Sequence, residues 1–135
     1  MCQGLTLSTA SLVFAFASSF ISIYSLDGDC YKDSPSRLLG ELRKEDKTGM
    51  TPEVCKAICF EKNNFQYAGV QYKYECFCGN NSPPSSKLLP ISQCNLPCSG
   101  DSSKKCGGAW KMNVYKKKDD IDNALQISLN GNDSF

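Results

Sequence analysis

Cysteine is the residue type with the most evident chemistry in this sequence, because nine cysteines occur in 135 residues. At this density, cysteines in a short chain usually form a disulfide scaffold in an oxidising compartment. The sequence contains no histidine, which removes Ser-His and Cys-His nucleophiles and zinc sites with imidazole ligands. The predicted chemistry is therefore the oxidation of thiols to structural disulfides.

Two pairs of cysteines have spacings that match each other. Cys55 and Cys59 would lie about 6 Å apart along a helix axis, and Cys76 and Cys78 about 6.7 Å apart on one face of a strand. A helix packed on that strand can form two nearly parallel disulfides with little strain. The geometry suggests Cys55–Cys76 and Cys59–Cys78, and the opposite pairing follows if the helix runs the other way.

A zinc site with thiolate ligands is the alternative interpretation of cysteines that lie this close in the sequence. Cys-x-Cys and Cys-x3-Cys are not the usual two-residue spacing of zinc sites. An oxidising compartment also favours disulfides over thiolates. We predict no metal site and no cofactor.

The N-terminal segment predicts that compartment. Residues 5–23 carry no charge, and small residues follow up to Ser25. We interpret residues 1–25 as a secretory signal peptide, which makes the protein secreted. Small residues allow cleavage after Ser19, Ser22 or Ser25, and we favour Ser25. A retained signal anchor is the alternative, although the stretch is short and diluted by Ser and Thr. Cys2 leaves with the signal, so the mature chain has eight cysteines, an even number.

The remaining chain divides into a folded domain and a tail. Residues 26–116 carry all eight remaining cysteines, whereas residues 117–135 are polar and are predicted to be disordered. Lys plus Arg number 15 and Asp plus Glu number 14. This near balance gives no electrostatic reason to expect nucleic acid or an anionic membrane surface as a partner. After signal removal no further hydrophobic segment is left to span a membrane.

The pattern of residues in the domain predicts a small α+β fold. Thr51 is a good N-cap and Pro52 suits the first turn of a helix that should end at about Lys62, with Val54, Ile58 and the two cysteines on one apolar face. Residues 65–72 and 75–78 predict a hairpin that turns at residues 73–74. A last strand is predicted at residues 110–115. Tyr31 and residues 37–39 are candidates for further short strands.

These residues resemble the WSC domain, a cysteine-rich module of fungal cell-wall stress sensors, secreted enzymes and Kremen receptors. The resemblance covers residues 30–115. It implies a PAN/apple-like fold, with one helix packed on a short antiparallel sheet. It also implies the pairs Cys30–Cys94, Cys55–Cys76, Cys59–Cys78 and Cys98–Cys106. The motifs that carry it are Cys30-Tyr-Lys-Asp33, Met50-Thr-Pro-Glu-Val-Cys55, Cys59, Tyr67-Ala-Gly-Val-Gln-Tyr72, Glu75-Cys-Phe-Cys-Gly-Asn80, Cys94-Asn-Leu-Pro-Cys-Ser-Gly-Asp101, Cys106-Gly-Gly108 and Val114-Tyr115.

The same resemblance implies a carbohydrate-binding module, and the aromatic residues are the physical support for that function. Tyr72 and Tyr74 are the leading candidates because they flank the hairpin turn, while Trp110 and Tyr67 are expected in the core. Each aromatic ring has packing as its alternative role. Gln71, Asn80 and Asp101 are candidates for hydrogen bonds to sugar hydroxyls. Glycosylation sequons occur at Asn80 and Asn132, and a glycan at Asn80 would hinder binding on that face.

Two classes of function remain after these exclusions. The first is a secreted module that binds polysaccharide. The second is an extracellular module that binds another protein, as the receptor members of the family imply. An enzyme is not expected, because the cysteines are bridged and no pair of carboxylates stands out for acid–base catalysis.

Overall fold

The computed structural model describes residues 27–118 and confirms the α+β class with four disulfides. The folded part is a six-stranded antiparallel sheet with one longer helical segment packed on it. Outside the described residues lie the predicted signal peptide (1–25), Cys2, residues 119–135 of the predicted tail and the sequon at Asn132.

The sheet has the strand order β2-β4-β3-β6-β1-β5. The predicted strands at β3, β4 and β6 are present within two residues of the expected bounds, and Tyr31 lies in β1. Residues 37–39 do not form the expected strand, because Arg37 has a left-handed backbone with φ 60° and the chain bends at residues 38–39. The strands are β1 (Asp27–Lys32), β2 (Leu42–Glu45), β3 (Tyr67–Gln71), β4 (Glu75–Gly79), β5 (Leu88–Leu89) and β6 (Lys111–Lys116).

The helical segment begins as α1 (Pro52–Lys56) and continues as a π-helix over Ala57–Lys62. Thr51 caps it as expected, since its Oγ1 accepts a hydrogen bond of 3.1 Å from the backbone N–H of Val54. The predicted apolar face is narrower than expected, because Val54 is 37% exposed. Val54 precedes the buried Cys55 by one residue, which rotates it about 100° around the helix and away from the sheet.

Each face of the sheet carries its own core, as the alternation of side chains along a strand requires. The helix covers one face, and the segment 33–41 covers the other. The helix face contains Met50, Cys55, Cys59, Ala68, Val70, Cys76, Cys78, Cys98 and Cys106, and the opposite face contains Tyr31, Leu39, Tyr67, Phe77, Met112 and Val114.

Gly69 in β3 allows the segment 33–41 to pack closely on the sheet. A Cβ atom at Gly69 would overlap the Sδ of Met112 and lie 3.2 Å from Cδ1 of Leu39. The missing side chain therefore leaves the space in which Leu39 and Met112 meet over β3. This packing brings Arg37, two residues before Leu39, to the end of the β3–β4 hairpin.

The four disulfides are the pairs that the family resemblance implied. Cys55–Cys76 and Cys59–Cys78 join the helix to β4 side by side, which selects one of the two pairings left open by spacing alone. Cys30–Cys94 ties β1 to the segment after β5. Cys98–Cys106 closes a short loop beside the hairpin tip.

Candidate functional site

A cleft of about 310 Å³ lies at the end of the β3–β4 hairpin, on the sheet face away from the helix. We call it the hairpin cleft. Its residues come from four parts of the chain: the segment 33–41, β2, the β3–β4 hairpin and the turn before β6. No single sequence motif therefore marks the cleft. It is lined by Arg37, Arg43, Gln71, Tyr72, Glu75, Ala109 and Trp110.

The floor of the hairpin cleft is polar. Gln71 ends β3 and pairs directly with Glu75, which begins β4. Both side chains lie on the sheet face that contains Phe77, because Glu75 precedes Phe77 by two residues. Gln71 is only 3% exposed, and its Oε1 is a buried atom without a hydrogen-bond partner among the described residues. A buried acceptor without a partner is costly to the fold, which makes Gln71 the least satisfied group at this site.

Two aromatic rings form the rim. Tyr72 is 46% exposed and Trp110 is 48% exposed, so the expectation of a core position for Trp110 was wrong. Trp110 precedes β6 and lies in a two-residue turn between Gly108 and Lys111, whose backbones exchange hydrogen bonds of 2.8 and 3.3 Å. The turn directs the indole outward. The other residue expected in the core, Tyr67, is buried.

Arg37 links the rim to the underlying core. Its guanidinium carbon lies 4.8 Å from the centre of the Trp110 ring and 5.1 Å from that of Phe77. Arg37 Nη1 donates a hydrogen bond of 2.9 Å to Oδ2 of Asp33, which is 2% exposed. The backbone N–H of Asp33 in turn donates to the carbonyl oxygen of Trp110 at 2.8 Å. The hydrogen bond from Asp33 holds the backbone of Trp110 beside the floor, and the guanidinium of Arg37 lies over its half-exposed indole.

Glu75 and Arg43 form the side of the hairpin cleft that faces the sheet edge. Arg43 Nη2 lies 3.3 Å from Oε2 of Glu75 and also pairs with Glu45. Burial raises the pKa of Glu75 above its usual range, and the charge of Arg43 acts in the opposite direction. The cleft therefore holds an ion pair whose carboxylate is partly withdrawn from water.

The hairpin tip that carries Tyr72 is held by the loop of the smallest disulfide. The backbone N–H of Lys73 donates to the carbonyl of Cys106, and its carbonyl accepts from the N–H of Ser99, each at 3.0 Å. Tyr72 and Lys73 both have left-handed backbones, with φ 50° and 76°. The loop therefore holds the tip in a conformation that these residue types rarely adopt alone.

Tyr74, the other leading aromatic candidate, lies beside the hairpin cleft and not in its lining. Its ring is 5.8 Å from that of Tyr72 in an edge-on arrangement. It is partly buried and packs against the core of the helix face. The structure therefore separates the two tyrosines that flank the turn into one exposed ring and one packing ring.

The remaining predicted polar residues lie away from the hairpin cleft. Asn80 follows β4 at the far end of the hairpin, where its Nδ2 donates to Glu41 at 3.0 Å and its Oδ1 accepts from the N–H of Gln66 at 3.2 Å. Asp101 accepts hydrogen bonds from the N–H and hydroxyl of Ser103, which lower its pKa. Of the five candidates, Gln71 and Tyr72 are brought together, while Tyr74, Asn80 and Asp101 are not.

A larger hollow of about 610 Å³ lies on the helix side of the sheet. Its central amide, Asn113, is buried and satisfied, because Oδ1 accepts from Gly107 N–H at 2.7 Å and Nδ2 donates to the Gly28 carbonyl at 2.8 Å. Lys104 there pairs with Glu53 at 3.0 Å. Because its polar groups have these partners, this hollow offers less unmet hydrogen bonding than the hairpin cleft.

The buried cysteines also form the one close cluster of potential metal ligands among the described residues. The Sγ atoms of Cys55, Cys59 and Cys76 lie within 4.8 Å of one another. Each of these sulfurs belongs to a disulfide. Zinc binds thiolates, so these sulfurs are not available in the form that a metal site needs.

Sequence reasoning did not find Arg37, Arg43, Glu75 and Trp110 as parts of the site. The composition Gly107-Gly-Ala-Trp110 was a usable signal, because small residues before a tryptophan favour a turn over a strand. The other three residues give no such signal, since their proximity depends on the packing of segment 33–41 and β2 around the hairpin.

The sequence family can be identified from a family-model match. The model described as the WSC domain matches residues 28–108, which is more than half of the chain. The chain belongs to the WSC domain family. This WSC domain includes the helix, all four disulfides and most of the hairpin cleft, and the resemblance inferred from the motifs is confirmed.

Three similar proteins are much longer than the segment that they share with this WSC domain. It is 42% identical over 88 residues to xylosyltransferase oxt of Drosophila melanogaster, covering 64% of this chain and 10% of that protein. It is 37% identical over 90 residues to human Kremen protein 1, covering 64% and 18%. It is 38% identical over 93 residues to a WSC domain-containing protein of Arthroderma benhamiae, covering 69% and 12%.

The similarity therefore concerns a module and not a whole protein, since the chain spans less than a fifth of these relatives. Among residues 27–118, no helix has both the length and the apolar character needed to cross a bilayer.

Proposed function

We propose that this protein is a secreted carbohydrate-binding module and that the hairpin cleft is its binding site. One observation carries the proposal: two half-exposed rings, Tyr72 and Trp110, border a hollow whose floor contains the unpartnered acceptor of Gln71. Aromatic rings offer flat apolar surface for the apolar faces of a sugar. An unmet acceptor beneath them can receive a hydrogen bond from a hydroxyl.

The comparisons support the general class of function, a binding module. The WSC family match favours a binding module, and one relative is named a xylosyltransferase, an enzyme that transfers a sugar. The part shared with that enzyme is a tenth of its length. A small sugar-binding accessory domain would fit such a position, and the uncharged N-terminal segment is consistent with secretion.

The lining of the hairpin cleft also favours binding without catalysis. Glu75 is the one carboxylate among its described lining residues, whereas glycoside hydrolysis generally requires two carboxyl groups on opposite sides of the bond. Glu75 is moreover paired with Arg43. We therefore propose a non-enzymatic module.

The affinity of a single cleft should be low. Each ring buries modest area against a sugar and contributes about 1–2 kcal/mol. Strong retention would require a repeating polymer that engages several domains at once. Insoluble or multivalent polysaccharide is therefore the appropriate probe.

The test is a pull-down of the secreted protein on insoluble β-glucan, chitin, cellulose, xylan and mannan. We expect at least one polymer to retain the wild type and Trp110→Ala to lower that retention about tenfold with an unchanged melting temperature. Ile91→Ala is the matched control, because Ile91 is 62% exposed and lines the other hollow.

Two results would contradict the proposal. The first is retention that Trp110→Ala leaves unchanged, which would remove the hairpin cleft as the site. The second is a lack of retention on every polymer together with a tight extracellular protein partner, which would favour the protein-interaction function that the Kremen relatives represent.

A further inference from the structure

We infer that the hairpin cleft selects uncharged polyhydroxy sugars and discriminates against anionic polysaccharides. This inference rests on the proposed function, since it names the ligand class of the same site. It follows from the charges around the cleft and from the hydrogen-bonding polarity of its floor.

The positive charges of the hairpin cleft are already neutralised. Arg37 is paired with the buried Asp33 at 2.9 Å, and Arg43 is paired with Glu75 at 3.3 Å and with Glu45. Two guanidinium groups thus face three carboxylates, which gives this cluster a formal charge of minus one. A sulfate or uronate group would have to displace one of these carboxylates and would approach the charge of Glu75.

The floor requires a ligand that donates hydrogen bonds. Gln71 Oε1 is an acceptor without a partner, and the ionised carboxylate of Glu75 is an acceptor only. These two residues face each other across β3 and β4, so both acceptors lie in one small region. Sugar hydroxyls can donate as well as accept hydrogen bonds, whereas the oxygens of ionised sulfate and carboxylate groups only accept. A neutral sugar therefore matches this floor better than an anionic group does.

The strand that carries Gln71 is fixed in the sheet, whereas the rim side chains of Tyr72 and Trp110 can rotate. Gln71 lies between β4 and β6, where its register partners are Glu75 and Met112. Tyr72 and Trp110 are half exposed, and exposed side chains change rotamer within picoseconds to nanoseconds. Rotation of the rim would open the buried Oε1 to a ligand without reordering the sheet, which limits the entropic cost of binding.

Matched pairs of polymers test this inference directly. Native affinity electrophoresis would compare laminarin with laminarin sulfate, hydroxyethyl cellulose with carboxymethyl cellulose, and dextran with dextran sulfate. We expect the neutral member of at least one pair to bind at least tenfold more tightly than its charged counterpart, with little change between low and moderate salt. Tighter binding to the charged member, weakened strongly by salt, would overturn the inference and leave the proposed function intact.

The variant Gln71→Leu separates a binding role from a structural role. It removes a buried acceptor, Gln71 Oε1, that has no hydrogen-bond partner, so the melting temperature should stay the same or rise while binding falls about tenfold. Gln93→Leu is the control, since Gln93 is exposed outside the cleft. Unchanged binding by Gln71→Leu, or a parallel loss of binding and stability, would overturn the assignment of Gln71. Failure of every neutral and charged polymer to bind would instead reject the proposed function itself.

Discussion

Arg37 and Trp110 lie face to face across the rim of the hairpin cleft, 4.8 Å from guanidinium carbon to ring centre, and both have left-handed backbones, with φ 60° and 57°. Tyr72, at φ 50°, is a third such residue. Five non-glycine residues of the described chain have positive φ, so most of them border this one cleft. Each such conformation costs on the order of 1–3 kcal/mol. The fold thus concentrates backbone strain where it presents its exposed rings.

Asp33 should be important for stability because it is the buried partner of Arg37. We expect Asp33→Asn to lower the free energy of unfolding by roughly 1–3 kcal/mol, since the guanidinium loses the charged acceptor of its hydrogen bond. Urea denaturation would measure the change. Glu45→Gln is the control, because this exposed partner of Arg43 should contribute less than about 0.5 kcal/mol. Equal effects of the two variants would contradict the central role of Asp33.

Tyr72 and Tyr74 should have separable effects. Tyr72→Ala should weaken polysaccharide binding about tenfold with little change in melting, because the ring is 46% exposed. Tyr74→Ala should instead lower the free energy of unfolding by about 1–2 kcal/mol, because its partly buried ring packs against the core. Calorimetric melting combined with polymer retention checks both. The assignment fails if Tyr74→Ala abolishes binding without any loss of stability.

The four disulfides should differ in their importance. Replacement of Cys55 and Cys76 together by Ala should cost roughly 2–5 kcal/mol, because this bridge joins the helix to β4. The loss of Cys98–Cys106 should cost less, since it closes a loop of sequence separation 8. It should nevertheless weaken ligand binding, because this loop holds the hairpin tip at Lys73.

Guanidinium denaturation of the two double variants would rank these costs. A larger loss of stability from the removal of Cys98–Cys106 would contradict the predicted order of the two bridges.

Glu75 predicts an unusual pH dependence. Burial raises its pKa in the folded state, so the folded protein binds this proton more tightly than the unfolded chain. Its contribution to stability is complete below the unfolded pKa of about 4.3 and is lost as the pH rises through the folded pKa. The stability difference between wild type and Glu75→Gln should therefore decline across that interval and then level off.

Asp46 provides a control of opposite sign for this measurement. The N–H groups of Thr48 and Gly49 donate to its carboxylate and lower its pKa. The stability difference between wild type and Asp46→Asn should rise with pH through the folded pKa and remain at higher pH. Urea titrations at a series of pH values between about 3 and 7 would compare both slopes. Parallel slopes would contradict the assignment for Glu75.

Secretion and complete oxidation remain predictions for the mature chain. Chain 26–135 should appear in the culture medium with eight oxidised cysteines and no thiol that reacts with iodoacetamide before reduction. Mass spectrometry with and without reduction would measure both the N-terminus and the thiol count. A single alkylated cysteine in the unreduced mature protein would contradict this prediction.

The sequence predicted the helix, the main hairpin and the WSC family because these depend on local signals. Thr51 and Pro52 mark a helix start, and aromatic and β-branched residues mark the strand that became β3. The relation between α1 and β4 followed from spacing, because two cysteines a helical turn apart match two on one face of a strand. These features depend on residues that are close in sequence or joined covalently.

The hairpin cleft could be predicted only in part, because long-range packing assembles it. Gln71 and Tyr72 were found since they lie at the hairpin turn. Arg37 reaches the hairpin cleft only because Leu39 packs over Gly69, and no local sequence pattern predicts that contact. The expectation for Trp110 was wrong because a lone tryptophan in a small domain usually packs in the core. In this structure Trp110 is the last residue of the turn that precedes β6, so its side chain is half exposed.

The pairing of β1 with β6 allows this domain to be inserted into a larger protein at a single position. Asp27 and Tyr115 are register partners, so the incoming and outgoing ends of the domain leave side by side. Trp110 lies at the opposite end of β6, about 17 Å away along an extended strand. A domain whose two ends lie close together can be inserted into a surface loop of a host protein. Its rings would then point outward from the host, with the Asn80 sequon near the insertion point at the far end of the hairpin.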